Sequence, residues 1–284
     1  MNKKIIVNEE KILLEFLKDK LKELSKNNVK NLLTKKRIKV NNKVITQYDY
    51  LLKLNDVIEI GDTEISTDFN NIKIIYEDNS LIAVNKPSGL LTIANEKEKE
   101  KTLYNIVKNY IKEKHKNNKI FIVHRLDKDT SGIVLFAKNE KIKTLLQNNW
   151  NDITKRIYYA VVDGNTKEKE TLKSYLRENK NLETYSATTG DLAITKYEKI
   201  KSNNEYTLLK IEIKTGRKNQ IRVQLSDIGN PIVGDTKYGR KNNKVKRMLL
   251  HAETLEIINP ITNKKMTFKS PIPEIFNEIT FVKK

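Results

Sequence analysis

The stretch His124-Arg125-Leu126-Asp127-Lys128-Asp129-Thr130-Ser131-Gly132 sets two carboxylates among three basic side chains. It lies between the apolar runs Phe121-Ile122-Val123 and Ile133-Val134-Leu135-Phe136, whose length and β-branched content predict short buried strands. A polar loop between buried strands is where a rigid scaffold presents reactive groups. Nearby cations favour the charged form of a carboxylate, the form that acts as nucleophile or base. An aspartate beside an arginine also serves as a plain structural ion pair, so both readings of Asp127 stand at this point.

Working outward, strand signals dominate the chain on either side of this loop. Ile72-Lys73-Ile74-Ile75-Tyr76 and Leu81-Ile82-Ala83-Val84 flank the turn Glu77-Asp78-Asn79-Ser80, and Lys86-Pro87-Ser88-Gly89 then breaks the chain. A helix is predicted over 102–114 with Leu103, Ile106, Val107 and Tyr110 on one side, and Asn139 is a suitable N-cap for a helix running through Trp150. Many strands with few helices predict an α+β domain with a mixed, largely antiparallel sheet. The first 60 or so residues read differently. A helix is expected over 10–24, with Ile12, Leu13, Phe16, Leu17, Leu21 and Leu24 on one stripe, and a second over 26–36. The strand Arg37-Ile38-Lys39-Val40, an Asn41-Asn42 turn and a closing strand at Val57-Ile58-Glu59-Ile60 complete a small α/β module. Residues 61–71 are polar and turn-rich, which places a domain boundary between 1–68 and 69–284.

Composition narrows the function classes. The 284 residues carry a formal net charge of +19, which attracts polyanions. From Leu24 to Tyr48 there is no acidic residue but there are Lys26, Lys30, Lys35, Lys36, Arg37, Lys39 and Lys43; Thr236 to Ala252 is likewise acid-free and basic. Clustered cations of this kind bind nucleic acid with a strong salt dependence. No cysteine is present, and His115, His124 and His251 are far apart in the chain, so neither disulfides nor a thiolate or histidine metal site is expected. There is no apolar run of membrane-spanning length, and the N-terminal MNKKIIVNEEKILLEF has no signal-peptide core. The expectation is a cytoplasmic chain with no membrane partner, no cofactor and no metal, monomeric by default.

The loop His124–Gly132 resembles the HRLDxxTSG signature of RluA-type RNA pseudouridine synthases at every fixed position. Asn85-Lys86-Pro87-Ser88-Gly89-Leu90 is similar to the family's first motif, and Tyr158-Tyr159-Ala160-Val161-Val162-Asp163-Gly164 to its tyrosine motif. Thr215-Gly216-Arg217-Lys218-Asn219-Gln220-Ile221-Arg222-Val223 resembles the third, continued by Pro231-Ile232-Val233-Gly234-Asp235, Tyr238-Gly239, Leu250-His251-Ala252 and Asn259-Pro260. The N-terminal module resembles the S-four-like RNA-binding domain, on its leucine-spaced first helix, its basic second helix and Ile38-Lys39-Val40-Asn41.

The resemblance implies an isomerase that detaches uracil from ribose, turns it and rejoins it through ring carbon five, with no redox step and no cofactor. It makes Asp127 the catalytic aspartate, which can attack the anomeric carbon, attack the uracil ring or remove a ribose proton. It sets Tyr158 against the uracil, with Tyr159 on the opposite face of a strand, and pairs Arg222 with Asp127. Arg217 is the second choice for that pairing, or a phosphate contact. Arg125 would fill the space of a uridine that leaves its stack, and Lys30, Lys35, Lys36, Arg37 and Lys39 would bind RNA. His124 would brace the loop. Lys218-Asn219 and Gln224 depart from the family's common pattern, which bears on RNA contacts and local packing. The implied substrate is structured RNA, large-subunit ribosomal RNA ahead of transfer RNA. An RNA-binding or ribosome-assembly factor with a vestigial pocket is the alternative. A hydrolase using Asp127 with Asp129 is a third reading, for which no second carboxylate motif speaks.

Overall fold

The computed structural model describes residues 3–21, 26–34, 38–60, 72–96, 98–240 and 245–281. The chain divides into two compact units, residues 1–68 and 69–284. The first contains β1 (Lys3–Ile6), β2 (Lys11–Ile12), α1 (Leu13–Lys20), α2 (Lys26–Thr34), β3 (Ile38–Val40), β4 (Lys43–Val44), β5 (Leu51–Leu52) and β6 (Val57–Ile60). Strands β1, β6, β3 and β4 form a sheet in that order, and β2 pairs with β5. The first helix starts later than its periodicity predicts, because Lys11 and Ile12 pair with Leu52 and Leu51 as a short ladder. Leu13, Phe16, Leu17 and Leu21 pack on Val29 and Leu33 of α2 and on Ile38, Val40 and Ile58 of the sheet. Asn41 and Asn42 both have positive φ, 49° and 65°. Left-handed geometry at both central residues suits a two-residue hairpin, and asparagine tolerates it.

The second unit begins with β7 (Lys73–Glu77), β8 (Leu81–Lys86), α3 (Leu103–Lys114), β9 (Phe121–Ile122), β10 (Ser131–Ala137), α4 (Glu140–Asn148) and α5 (Trp150–Ile153). It continues with β11 (Thr154–Asp163), β12 (Lys169–Glu178), β13 (Thr184–Ala187), β14 (Asp191–Ser202), β15 (Tyr206–Ile213), α6 (Gln220–Asp227), β16 (Leu250–Ile258), β17 (Lys265–Lys269) and α7 (Ile275–Ile279). One sheet runs β13-β12-β14-β15-β11-β16-β10-β8-β7, with β17 added to β16 and β9 to β10. Its pairings are antiparallel except where β10 meets β16, so the α+β reading with a mixed, largely antiparallel sheet holds.

The continuous apolar runs of β8 and β10 follow from burial on both faces. Ile82, Val84, Val134 and Phe136 face Leu103, Val107 and Ile111 of α3, while Ala83, Ile133 and Leu135 face Ile142 and Leu146 of α4. Thr102 caps α3 by accepting from the Asn105 N–H at 3.2 Å, and Asn139 caps α4 by accepting from the Ile142 N–H at 2.9 Å. The helix expected through Trp150 is broken at Asn149, whose side-chain amide donates to the Leu145 carbonyl at 3.2 Å. In the other half of the sheet, Ile221 and Leu225 of α6 pack on Leu172, Tyr197, Leu209 and Ile211. On the opposite face Phe276 of α7 packs on Val161, Leu208, Val233 and Leu249.

The halves meet at a two-residue parallel seam, Ser131 opposite His251 and Gly132 opposite Ala252. Gly132 has φ 117°, and a Cβ there would lie 2.2 Å from the Ala252 carbonyl oxygen. A side chain is therefore excluded both by backbone conformation and by space. Gly89 also has positive φ (85°), but a Cβ there meets nothing within 4 Å. Gly89→Ala is expected to cost about 1–3 kcal/mol of backbone strain. Gly132→Ala carries that cost plus displacement of β16, so urea denaturation should give it clearly the larger loss.

Candidate active site

The loop between β9 and β10 is held from below by the turn that follows β8. Lys86 is fully buried, and its Nζ donates to the carbonyls of Pro87 (3.0 Å), Leu90 (2.7 Å) and Lys128 (2.8 Å). Burial pushes this ammonium down to about 7, against the pull of Asp129 and Asp127. Three carbonyl acceptors match the three N–H groups of an ammonium, where a neutral amine offers two. The Ser88 hydroxyl donates to the Asp129 carbonyl at 2.7 Å, and Thr92 exchanges hydrogen bonds with the backbone of Leu126. Sequence reading did not single out Lys86; its signal was a lysine at the junction of an apolar strand and a Pro-Ser-Gly turn. His124 accepts from the Leu135 N–H through Nε2 at 3.1 Å and stacks on Trp150 at 4.8 Å. Burial, helped by Arg156, lowers it to about 3, so it is a neutral brace at ordinary pH.

Arg222 projects from α6 toward Asp127, but its planar fork is spent elsewhere. Nε and Nη2 bind the two oxygens of Asp235 at 2.7 and 2.8 Å, and Nη1 donates to Asn219 Oδ1 at 2.8 Å. Asp127 receives a single contact from Nη1, at 3.5 Å. Asp235 is 1% exposed, and the backbone N–H groups of Lys237 and Tyr238 also donate to it. Burial raises this carboxyl, but the hydrogen bonds and charge of Arg222 together with the Tyr238 and Lys237 N–H groups outweigh it and hold it below the usual range. The Arg222 guanidinium also lies 5.0 Å from the Tyr238 ring centre. Asp235 was quoted within a motif without a role; a strong pair for Arg222 was foreseen, with a different carboxylate. Asn219 was expected to bear on RNA contacts and local packing; it also accepts from Arg222 directly. Lys218 and Gln224 do act locally: Lys218 pairs with Glu178 at 2.9 Å, and Gln224 donates to Ser174 and to the Ala193 carbonyl.

A buried chain of hydrogen bonds underlies the seam. Arg247 donates to the Ser131 hydroxyl at 2.6 Å, and Ser131 Oγ lies 2.8 Å from His251 Nδ1. His251 Nε2 lies 3.4 Å from the Ser270 carbonyl. With Nε2 protonated the chain runs in one direction, from arginine through serine and imidazole to the carbonyl. Arg247, counted in a basic cluster, is thus turned inward.

Two cavities meet at Asp127. One, of about 320 Å³, is lined by Arg125, Asp127, Arg156, Tyr158, Arg217, Asn219 and Arg222 among others. The other, of about 290 Å³, shares Arg125, Asp127, Asn219 and Arg222 and adds Leu91–Asn95 and Lys237. The Tyr158 hydroxyl has no protein partner among the described residues, and burial pushes it up to about 12, so it carries its proton. Tyr159 points to the other face, toward Lys210 and Glu253. Arg125 is exposed and likewise unpaired among the described residues. Arg217 lines the cavity, donates to the Leu192 carbonyl at 3.2 Å and reaches Asp191 at 3.6 Å. Asp127, Tyr158, Arg222, Arg125 and Arg217 are therefore brought together. Lys30 and Lys39 are exposed on the N-terminal unit; Lys35, Lys36 and Arg37 lie outside the described residues. A larger groove of about 740 Å³, on the far face of the sheet, holds none of these groups. Among the described residues there is no cluster of potential metal ligands, and no helix is long and apolar enough to cross a membrane.

The sequence model of RNA pseudouridylate synthases matches residues 80–227, and that of the S4 domain matches residues 13–58. The uncharacterized RNA pseudouridine synthase YhcT of Bacillus subtilis is 31% identical over 283 residues, covering 95% of this chain and 93% of that one. Ribosomal large subunit pseudouridine synthase C of Buchnera aphidicola is 32% identical over 305 residues, covering 97% and 95%. The solved structure of human RNA pseudouridylate synthase domain containing 4 superposes with a TM-score of 0.60 at 21% identity, over 72% of this chain and 90% of that one. That last likeness concerns the fold.

Two outcomes follow from the geometry. Asp235→Asn leaves the buried Arg222 charge without its bidentate partner and should cost about 3–5 kcal/mol, whereas Asp127→Asn, losing one long contact, should cost under about 1 kcal/mol. Urea denaturation of the two variants checks the contrast. Burial, opposed by the Ser270 hydrogen bond, lowers His251 to about 4. The unfolded chain then takes up a proton between about pH 6.5 and 4 that the folded chain refuses, so this group's stabilisation is complete above about pH 6.5 and falls with pH. The expected loss is roughly 2 kcal/mol by pH 5, and His251→Gln should remove it from the pH dependence of unfolding.

Proposed function

The chain belongs to the RNA pseudouridylate synthase family, with an S4 domain ahead of the catalytic domain, and from that premise we propose that Asp127 is the residue that attacks or deprotonates a uridine in ribosomal RNA. The observation that carries this reading is the state of its carboxylate. It is partly exposed where two cavities meet, and its one charged contact among the described residues is a 3.5 Å approach from a guanidinium already held in a bidentate pair by Asp235. A nucleophile or base needs a free lone pair facing the substrate and a fixed position, and this arrangement supplies both. Arg222 acts as the positioning cation, steered by Asp235 and Asn219. Its charge faces the Asp127 carboxylate from one side without occupying both oxygens.

Tyr158 contributes a neutral hydroxyl on the wall of the same cavity, suited to lie against the base and pass a proton during the rejoining step. Arg125 stands beside Asp127 with no protein partner among the described residues, suited to enter a helix as the uridine leaves it and to meet a phosphate. Extruding the base costs a few kcal/mol, and contacts by such a side chain offset part of that. Arg217 lines the entrance and fits a phosphate. Lys30 and Lys39, with Lys35, Lys36 and Arg37 between them in sequence, provide cations on the S4 unit. Large-subunit ribosomal RNA is the proposed target, supported by the name of the Buchnera relative and by the S4 domain the chain carries. We place the enzyme in the cytoplasm, acting as a monomer without a cofactor.

The test is to map pseudouridine in total RNA from cells with the gene intact, deleted or carrying Asp127→Asn. Sites in large-subunit ribosomal RNA are expected to vanish in both altered strains; loss confined to transfer RNA would replace the substrate while keeping the chemistry. With purified protein, Asp127→Asn should lower turnover by about 10⁴-fold or more while RNA affinity stays within about tenfold. Substantial residual turnover would remove Asp127 from this role.

A further inference from the structure

The outer end of the sheet has one face covered by α6 and one open. On β12, Leu172 and Leu176 point to the covered face, while Lys173, Tyr175 and Arg177 point away from it. Cross-strand register builds a patch around them. Tyr175 sits between Ala187 of β13 and Leu192 of β14, Arg177 is opposite Tyr185, and Lys173 is opposite Ile194. Partners in register share a face, so two tyrosines and two cations stand together on the open side. Tyr175 and Tyr185 are each 44% exposed and Leu192 is 40% exposed. Along β12 the order is cation, ring, cation, with side chains about 7 Å apart.

The charges here are distributed unevenly. The hairpin's acids Glu178, Glu183 and Asp191 pair with Lys218, Lys237 and Arg217, cations from outside it. Lys173 and Arg177 are left with no carboxylate partner among the described residues. The adjoining groove on the same face differs, because Glu198, Glu212, Glu253 and Glu256 alternate there with lysines. On this face, among the described residues, the β12–β13–β14 end combines exposed rings with uncompensated positive charge.

We infer that this open face is a second RNA-contact surface, taking unpaired nucleotides whose bases stack on Tyr175 and Tyr185 while Lys173 and Arg177 meet their phosphates. Rings on a sheet face accept bases that are already unstacked, whereas a duplex hides its bases and offers phosphate alone. The inference rests on the chain's action on RNA, but not on the role of Asp127. The surface would engage a single-stranded segment flanking the modified site and raise affinity without altering the chemical step.

The test uses the full chain with a fluorescein-labelled unstructured 12-nucleotide RNA and a 12-base-pair RNA duplex, read by anisotropy. Tyr175→Ala/Tyr185→Ala should weaken single-strand binding at least tenfold and duplex binding less than twofold, and the Tyr→Phe pair should restore it, since stacking needs the ring. Lys173→Gln/Arg177→Gln should weaken both ligands and reduce the salt slope by between about one and two units. On substrate RNA the alanine pair should raise KM and leave kcat unchanged. Unchanged single-strand affinity in the charge pair, or in a folded alanine pair, overturns the inference. So does a loss of self-association on sedimentation with RNA affinity intact, which would make the face a protein contact. Asp127→Asn should bind the single strand normally, so failure of the catalytic reading is separable from failure of this one.

Discussion

A two-residue seam governs the architecture of the catalytic unit. Ser131 and Gly132 run parallel to His251 and Ala252, and through this ladder the sheet half built on β7, β8 and β10 is hydrogen-bonded to the half built on β11 through β16, with Tyr76 packed on Phe268 as a further contact. Because the backbones nearly touch, position 132 accepts only glycine. Because the seam is short, it is reinforced from outside the ladder by the Arg247–Ser131–His251 chain. The loop that carries Asp127 ends at this seam, so the carboxylate's position is set by the joint between the halves. Lys86 binds the Lys128 carbonyl just after Asp127, and Thr92 exchanges hydrogen bonds with the Leu126 backbone just before it. The reactive loop is therefore pinned by backbone contacts on both sides of Asp127, which leaves that side chain free of structural duty.

Arg222 extends the same logic to electrostatics. A guanidinium facing one buried carboxylate settles into a bidentate pair, and Asp235 takes that place with both oxygens. The second carboxylate, Asp127, then meets a cation whose orientation is already decided. Had Asp127 been the bidentate partner, its lone pairs would have faced the arginine rather than the cavity. The arrangement gives the task of holding the cation to Asp235 and leaves Asp127 outside that pair, as the proposed role of Asp127 requires.

Much of this was legible in the sequence, for reasons that differ by residue. The doubly buried strands around the loop showed as continuous apolar runs, and the N-cap at Asn139 lies where its polar side chain precedes helical periodicity. The alternation of a strand put Tyr158 and Tyr159 on opposite faces. What the sequence could not display were partnerships across long separations. Arg222 is 95 residues from Asp127 and 13 from Asp235, and motif spacing offers no reason to prefer the nearer one. Lys86 reads as a surface cation at a turn until three carbonyls are seen to converge on it. The late start of α1 reflects a pairing with Leu51 and Leu52 that helical periodicity does not register.

The distribution of satisfied and unsatisfied groups is the strongest physical argument about the site. Folded proteins pair their buried polar groups, and departures from that rule concentrate where function requires them. Around the cleft, Lys86, His124, Ser131, Asn219, Gln220, Arg222 and Asp235 are each hydrogen-bonded. The Asp127 carboxylate, the Tyr158 hydroxyl and the Arg125 guanidinium are not comparably engaged, although all three line one cavity. A surface carboxylate or arginine left free is unremarkable by itself. Three such groups converge on one cavity, where the buried Nε of Arg156 is also without a hydrogen-bond partner, so polar groups left open gather at this cleft while the framework around it is largely tied.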